Sequence, residues 1–269
     1  MIHSFFFRGA PLRYLDLGKG PKTIVLLHGY LENLEIWNGF STGLAKEFRV
    51  ICPDTPGHGE SGILDKVHHP DLLAEAIHAI LEHAGVNECV MAGHSMGGYT
   101  LFSFLEKYPS LLKGICLLHS TPFADNEEKR KNRDREIALV REGKQEMLYT
   151  LNVPNGFAPE NRSLLPDKVA FAIEVARKTN PEGIISILEG MKVRPDRQEL
   201  LRHCGKPVLF TLGRKDPYIS PEIIAPIAAS TPLSETVWLE HSGHNGFLEE
   251  QEKVTAVVSE FIQRCFSAL

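Results

Sequence analysis

Gly93-His94-Ser95-Met96-Gly97-Gly98 carries the pattern G-x-S-x-G. It follows the apolar run Cys89–Ala92 and opens a helical stretch that continues through Thr100–Tyr108 and stops before Pro109. A glycine-flanked serine at a strand-to-helix turn is a nucleophile elbow, in which a tight turn holds the serine in a strained backbone conformation. Small flanking residues let strand and helix approach, so Gly93 and Gly97 have a steric task. The hydroxyl then projects from the carboxyl edge of a sheet at the positive end of a helix, where developing negative charge is stabilised. The plainer alternative is a glycine-rich helix entry with Ser95 as its N-cap; the strand before it and the helix after it favour the nucleophile. A serine hydroxyl attacks poorly until a base takes its proton, and twelve histidines compete for that task.

The elements that must position such a serine are visible in the same chain. Thr23–Leu27 is a continuous apolar run rich in β-branched residues, which marks a strand buried on both faces of a parallel sheet. The signal recurs at Arg49–Cys52, Cys89–Ala92, Gly114–Leu118, Pro207–Leu212 and Thr236–Leu239, after an opening pair at Ser4–Phe7 and Leu12–Leu17. Helical spacing of Leu73, Ile77, Ile80, Leu81 and Ala84 lies between them, with Gly85 as a stop. Ser220-Pro221 starts another helix, and Val254, Val257, Val258, Phe261, Ile262 and Cys265 form the stripe of a last one. Repeated strand–helix–strand units imply an α/β fold with a mostly parallel sheet and helices on both faces.

The rhythm breaks between about Thr121 and Pro195, where no strand is evident. Asp125–Glu146 holds 14 charged positions, seven acidic and seven basic. The adjacent acids cancel the basic run Lys129-Arg130-Lys131, so a solvated helix face is the reading. We expect an α/β core of residues 1–121 and 197–269 and a helical cap at 122–196, inserted after the sixth strand.

Composition narrows the function classes. A chain of 269 residues with net charge −5 lacks the basic excess that displaces counterions from nucleic-acid phosphates. Hydrophobic residues at 43% suit a packed domain. The five cysteines include no CxxC pair, which opposes a disulfide framework or a zinc ribbon. His68-His69 has no acidic or cysteine partners at ligand spacing, so neither a metal nor another cofactor is expected. Arg8 ends the apolar start too early for a signal peptide, and no stretch approaches a membrane span. A cytoplasmic protein is expected, either monomer or homodimer, with a small-molecule partner.

Several stretches together resemble the α/β-hydrolase superfamily. They are Val25-Leu26-Leu27-His28-Gly29-Tyr30, Asp54-Thr55-Pro56-Gly57-His58-Gly59-Glu60-Ser61, the Ser95 elbow, Thr211-Leu212-Gly213-Arg214-Lys215-Asp216 and Ser242-Gly243-His244. The order Ser…Asp/Glu…His implied by the resemblance leaves His203, His241 and His244 as bases. His244 is preferred because small residues surround it in a loop after the last strand. The resemblance puts the acid after the strand Val208–Leu212, at Asp216. Asp125, just past the sixth strand, is the rival, disfavoured because its charged run looks solvent-exposed. By resemblance the oxyanion hole is the backbone N–H groups of Tyr30 and Met96, while His28, His58 and His94 brace loops. Serine at the elbow opposes haloalkane dehalogenases and epoxide hydrolases, which carry aspartate there.

The elbow looks most like those of carboxylesterases and monoacylglycerol-lipase-like enzymes, which implies hydrolysis of a small ester or thioester through an acyl-enzyme on Ser95. The alternatives are a carbon–carbon bond hydrolase, a haloperoxidase-like enzyme or an acyltransferase of the same fold, or a non-catalytic ligand-binding module. For the substrate pocket we expect Tyr30, Tyr218 and Phe247 from the core loops. From a largely apolar cap we expect Phe123, Met147, Leu151 and Phe157.

Overall fold

The computed structural model describes residues 1–267. The strands are β1 (Ile2–Phe7), β2 (Ala10–Leu17), β3 (Thr23–Leu27), β4 (Arg49–Pro53), β5 (Cys89–His94), β6 (Leu112–Leu118), β7 (Val208–Gly213) and β8 (Ser234–Leu239). They form one eight-stranded sheet in the order β1-β2-β4-β3-β5-β6-β7-β8. β2 pairs antiparallel with both β1 and β4, and all other neighbours are parallel. The helices are α1 (Phe40–Leu44), α2 (Pro70–His83), α3 (Met96–Lys107), α4 (Glu127–Arg141), α5 (Glu146–Asn155), α6 (Asn161–Leu164), α7 (Pro166–Arg177), α8 (Pro181–Lys192), α9 (Gln198–Arg202), α10 (Pro221–Ser230), α11 (Gly246–Glu249) and α12 (Gln251–Ser267).

The continuous apolar runs exist because both faces of the sheet are covered. Every residue of β3, β5 and β7 is buried. Their side chains alternate between two cores. Val25, Leu27, Met91, Ile115, Leu117 and Phe210 pack with Ile77 of α2 and Phe102 of α3. Ile24, Leu26, Val90, Cys116 and Leu209 pack with Phe40 of α1 and with Phe261 and Ile262 of α12. Each such side chain contributes about 1.5–3 kcal/mol on burial, so the two-sided core dominates stability. The cysteines are free; burial pushes the thiols of Cys89 and Cys265 up to about 12, which makes them inert packing groups.

Between β6 and β7 the chain carries six helices, α4 to α9, and no strand. Asn126 and Asn180 cap α4 and α8 by accepting from Lys129 N–H and Glu182 N–H. Ile137 and Val140 of α4 join Ile184, Ile187, Leu188 and Met191 of α8 in a third apolar cluster, which includes Leu31, Met96 and Tyr99 from the core. The inserted helices therefore share a packed interior with the loop after β3 and with the start of α3. No helix among the described residues is long and apolar enough to cross a membrane.

The crossing of α3 over β3 depends on one glycine. A Cβ at Gly97 would lie 2.2 Å from the Leu27 carbonyl oxygen and 2.8 Å from that of His28. Backbone on both sides leaves no flexible group to give way. Gly97→Ala is therefore expected to cost about 3 kcal/mol or more. Thermal unfolding should register a fall in Tm of roughly 6–12 °C at 2–4 °C per kcal/mol. A variant as stable as the parent contradicts this close approach.

Candidate active site

Ser95 sits between β5 and α3 with φ 49° and ψ −113°. A non-glycine residue held there costs on the order of 1–3 kcal/mol and persists only where the surroundings over-determine it. Here Ser95 N–H donates to the Leu118 carbonyl at 3.0 Å, and the Ser95 carbonyl accepts from Gly98 N–H at 3.0 Å. The Ser120 hydroxyl donates to the same carbonyl at 2.7 Å. The side chain of Ser95 makes no capping bond to α3, so its hydroxyl is not spent on the helix.

His244 lies in the loop between β8 and α11. Its Nδ1 is 2.9 Å from Asp216 Oδ2. The other carboxylate oxygen, Oδ1, accepts from Tyr218 N–H and Ile219 N–H, both at 2.9 Å. Burial alone would raise the Asp216 pKa, but the facing imidazoles of His244 and His119 outweigh it and hold the carboxyl far below its usual range. The group stays ionised and can orient Nδ1–H of His244, which leaves Nε2 of that ring as the free nitrogen.

His119, unforeseen from the sequence, approaches the same Oδ2 through Nδ1 at 3.3 Å. Burial pushes its pKa down to about 4, so it donates as a neutral ring. Its only sequence cue is its place directly after β6, where it takes φ 49°.

A second buried carboxylate, Glu32, links three loops and was equally unmarked. Glu32 Oε2 accepts from Gly29 N–H at 2.5 Å and faces His94 Nδ1 at 3.0 Å. His94 Nε2 faces the carbonyl oxygen of His244 at 2.9 Å. Both partners of the His94 ring are acceptors, so the ring carries both protons. Burial disfavours that charge, yet Glu32 raises the His94 pKa above 6.5, and His94 in turn holds Glu32 below 4.5 against its own burial. This ion pair ties the loop after β3, the residue before Ser95 and the backbone of His244 together. His28 does brace a loop, its Nε2 accepting from Thr55 N–H at 3.0 Å.

The His244 loop is also anchored to the insertion. His244 N–H donates to the Gly156 carbonyl at 2.6 Å. Glu249 Oε1 accepts from Gly243 N–H at 2.9 Å, while its Oε2 accepts from Ala158 N–H at 2.7 Å and from Asn161 Nδ2 at 2.8 Å. Tyr30 N–H makes no hydrogen bond within the protein among the described residues. Met96 opens α3, where the first N–H groups lack intrahelical acceptors.

A cavity of about 410 Å³ is lined by Ser95, His244, Tyr30, Met96 and Tyr218. The side formed by the inserted helices departs from expectation. Met147 and Leu151 point to solvent at 45% and 55% exposure. Phe157 is fully buried in the core beneath the sheet with Phe247, and Phe123 packs against the opposite core. None of these five lines the cavity. The insertion instead presents Asn126, Asn132, Arg133, Glu136 and Asn152, with Val153 and Met191 among its few apolar contributions. The physical reason lies in α4, whose apolar stripe of Ile137 and Val140 is consumed by α8, so its polar face turns to the cavity. Asp125 also differs from the sequence reading. It is buried, with Arg133 Nε at 2.6 Å and Arg194 Nη1 at 2.6 Å. It is committed to two guanidinium groups and bonds no histidine.

Residues 22–251 match the model of the alpha/beta hydrolase fold family. The chain belongs to this family. Among α/β-hydrolase relatives, it is 29% identical to the dihydrolipoyllysine-residue acetyltransferase component of the acetoin cleaving system of Pseudomonas putida, over 95% of this chain and 68% of that one. It is 26% identical to the pimeloyl-[acyl-carrier protein] methyl ester esterase of Aeromonas hydrophila, over 91% and 96%. In three dimensions this hydrolase fold superposes on a thermophilic esterase from Thermogutta terrifontis with a TM-score of 0.92 at 28% identity, covering 98% and 97% of the two chains.

The His94–Glu32 pair makes stability depend on pH in a defined sense. His94, raised above 6.5, contributes stability in full below that value and loses it as pH climbs through the raised folded pKa. Glu32, lowered below 4.5, contributes above that value and loses it as pH falls through the depressed one. Denaturant unfolding as a function of pH should show an alkaline decline that Glu32→Gln abolishes, because the substituted chain no longer holds the His94 proton. That variant should also lose about 1–3 kcal/mol at neutral pH, the cost of a neutral His94 ring facing two acceptor positions with one proton. Nitrogen NMR of His94 at neutral pH should find both ring nitrogens protonated; a neutral tautomer contradicts the pairing.

Proposed function

We propose that the chain is a serine hydrolase that cleaves a small carboxylic ester or thioester through an acyl-enzyme on Ser95. One observation carries the reading. A serine held in a strained turn at a helix start shares a cavity with a histidine whose Nδ1 is 2.9 Å from a permanently ionised aspartate. Similarity to the methyl ester esterase and to the thermophilic esterase supports the same chemistry.

In this mechanism Nε2 of His244 takes the Ser95 hydroxyl proton as Oγ attacks the substrate carbonyl. The carbonyl oxygen becomes an oxyanion that accepts from Tyr30 N–H and Met96 N–H, at the positive end of α3. Collapse of the tetrahedral species breaks the bond to the leaving oxygen or sulfur, which receives the proton from His244. A water then gives its proton to the same nitrogen and attacks the acyl-enzyme, releasing the acid and restoring Ser95. Asp216 holds the ring in the tautomer that both halves require. The helices of 122–196 act as a cap that excludes bulk water while the acyl-enzyme forms.

Multiple turnovers of p-nitrophenyl acetate are the expected activity. Ser95→Ala should lower kcat by a factor on the order of 10⁶. Asp216→Asn should lower it about 10⁴-fold while the fold survives. Asp125→Asn should instead reduce stability, by stranding Arg133 and Arg194, and leave kcat per folded molecule within about threefold, since its partners are not the base. A large kcat loss in Asp125→Asn together with none in Asp216→Asn would exchange the two assignments.

A further inference from the structure

We propose that His119 is a positioning residue for the hydrolysis. It donates Nδ1–H to Asp216 Oδ2, which locks the carboxylate against rotation and limits how strongly Asp216 holds a proton on the His244 ring. The proposal rests on the reading of Ser95 as the nucleophile and of His244 as its base. His119 does not line the cavity, so it acts on the reaction only through Asp216.

A carboxylate offers about four acceptor positions, and at Asp216 four donors meet them. Tyr218 N–H and Ile219 N–H occupy Oδ1, both at 2.9 Å. His244 Nδ1 at 2.9 Å and His119 Nδ1 at 3.3 Å share Oδ2. Without His119 the carboxylate would be tied only by its own loop and by the base it must orient. Three costs meet at His119, none of which packing requires. Its backbone takes φ 49°, a conformation a non-glycine residue keeps only where its surroundings hold it, here through His119 N–H donating to the Thr211 carbonyl at 3.2 Å. Its imidazole is 1% exposed, which burdens the interior with a polar ring. Its Nε2 is buried with no hydrogen-bond partner among the described residues. A Cβ at Gly246 would lie 2.4 Å from that nitrogen, so the ring has a slot of its own. An apolar side chain would fill the slot at no such cost. A function through the other nitrogen, Nδ1, accounts for the imidazole.

The charged and titratable neighbours decide what His119 contributes. Around its ring stand Asp216 from the loop after β7, His244 from the loop before α11 with ring centroids 5.9 Å apart, and His94 of β5 at 6.2 Å. Around His244 stand the same Asp216, His94 at 4.9 Å and the Tyr218 ring at 5.3 Å. His94 enters as a cation paired with Glu32. A further cation at His119 would oppose it, and burial keeps the His119 ring neutral, with its pKa pushed down to about 4. His119 therefore supplies a dipole and no charge. Its Nδ1–H takes up part of the electron density on Oδ2, which leaves less to stabilise the imidazolium that His244 becomes on taking the Ser95 proton. The base is thereby free of its proton at a lower pH than a carboxylate shared with no second donor would allow.

The test follows kcat and kcat/KM for p-nitrophenyl acetate against pH, with active sites counted by fluorophosphonate labelling of Ser95. His119→Leu fills the slot without a donor. His119→Asn keeps one, because its amide Nδ2 falls where Nδ1 of the imidazole lies. In His119→Leu, kcat should fall roughly tenfold to a hundredfold with KM little changed, the scale of a misplaced catalytic group. The midpoint of the acid limb of kcat/KM should also move up by about half a pH unit or more. His119→Asn should recover most of kcat and bring the midpoint back toward that of wild type. The midpoint does not depend on how much of a variant is folded. Nitrogen NMR of wild type at neutral pH supplies a reading that needs no variant, and should find the His119 ring neutral with its proton on Nδ1. An acid limb unmoved in His119→Leu overturns the role. So does a His119→Asn variant no closer to wild type than His119→Leu, the mark of a packing residue. A proton on Nε2 of His119 in wild type overturns it as well. Failure of wild type to turn over the ester overturns the hydrolase reading, and the role falls with it.

Discussion

The backbone at Ser95 is the constraint around which the rest of the molecule is arranged. Its φ of 49° is unfavourable for a serine, and nothing local relieves it. It is held by a hydrogen bond from its N–H to the Leu118 carbonyl of the neighbouring strand and by one from the Ser120 hydroxyl, and by glycines that let α3 press onto β5 and β3. A Cβ at Gly93 would lie 2.6 Å from the Gly97 backbone, so strand and helix meet with no room for a side chain. The two apolar cores on either face of the sheet give the rigidity against which such a turn can be strained.

Around that turn the structure spends buried charge rather than apolar contact. Asp216 gathers His244, His119 and two backbone N–H groups, while Glu32 gathers His94 and Gly29 N–H. Buried ion pairs add little net stability over an apolar replacement, yet breaking one is costly. Their effect here is geometric. His94 precedes Ser95, bonds the backbone of His244 and, through Glu32, fixes the loop carrying Tyr30. A shift of any one of these loops is therefore resisted by the other two. Glu249 extends the arrangement to the inserted helices by bonding Gly243 on one side and Ala158 and Asn161 on the other.

The sheet was legible in the chain because strands buried on both faces must be apolar throughout, as at Thr23–Leu27 and Cys89–Ala92. The elbow and the loops bearing Asp216 and His244 were legible because each is a short local pattern at the end of such a strand. Glu32 and His119 were not, because each acquires its meaning from a partner distant in sequence: His94 and Asp216. The apolar residues of the insertion misled for a related reason. In a charged helix such as α4 the side that meets the cavity is decided by which face α8 covers, so apolar character did not mark the pocket. Phe157 went to the core, and Met147 and Leu151 went to solvent. Asp125 read as exposed because its neighbours are charged, but Arg133 and Arg194 fold back to enclose it.

The central claim is that this strained serine is the atom donor to a covalent intermediate. Rapid acid quench of the protein during turnover of p-nitrophenyl acetate, followed by mass mapping of its peptides, tests it most directly. An acetyl group on the peptide containing Ser95, located to that residue by fragmentation and lost on longer incubation without ester, is the predicted result. Sustained turnover with the Ser95 peptide unmodified at every quench time, or with the acetyl group on another residue, would contradict the account.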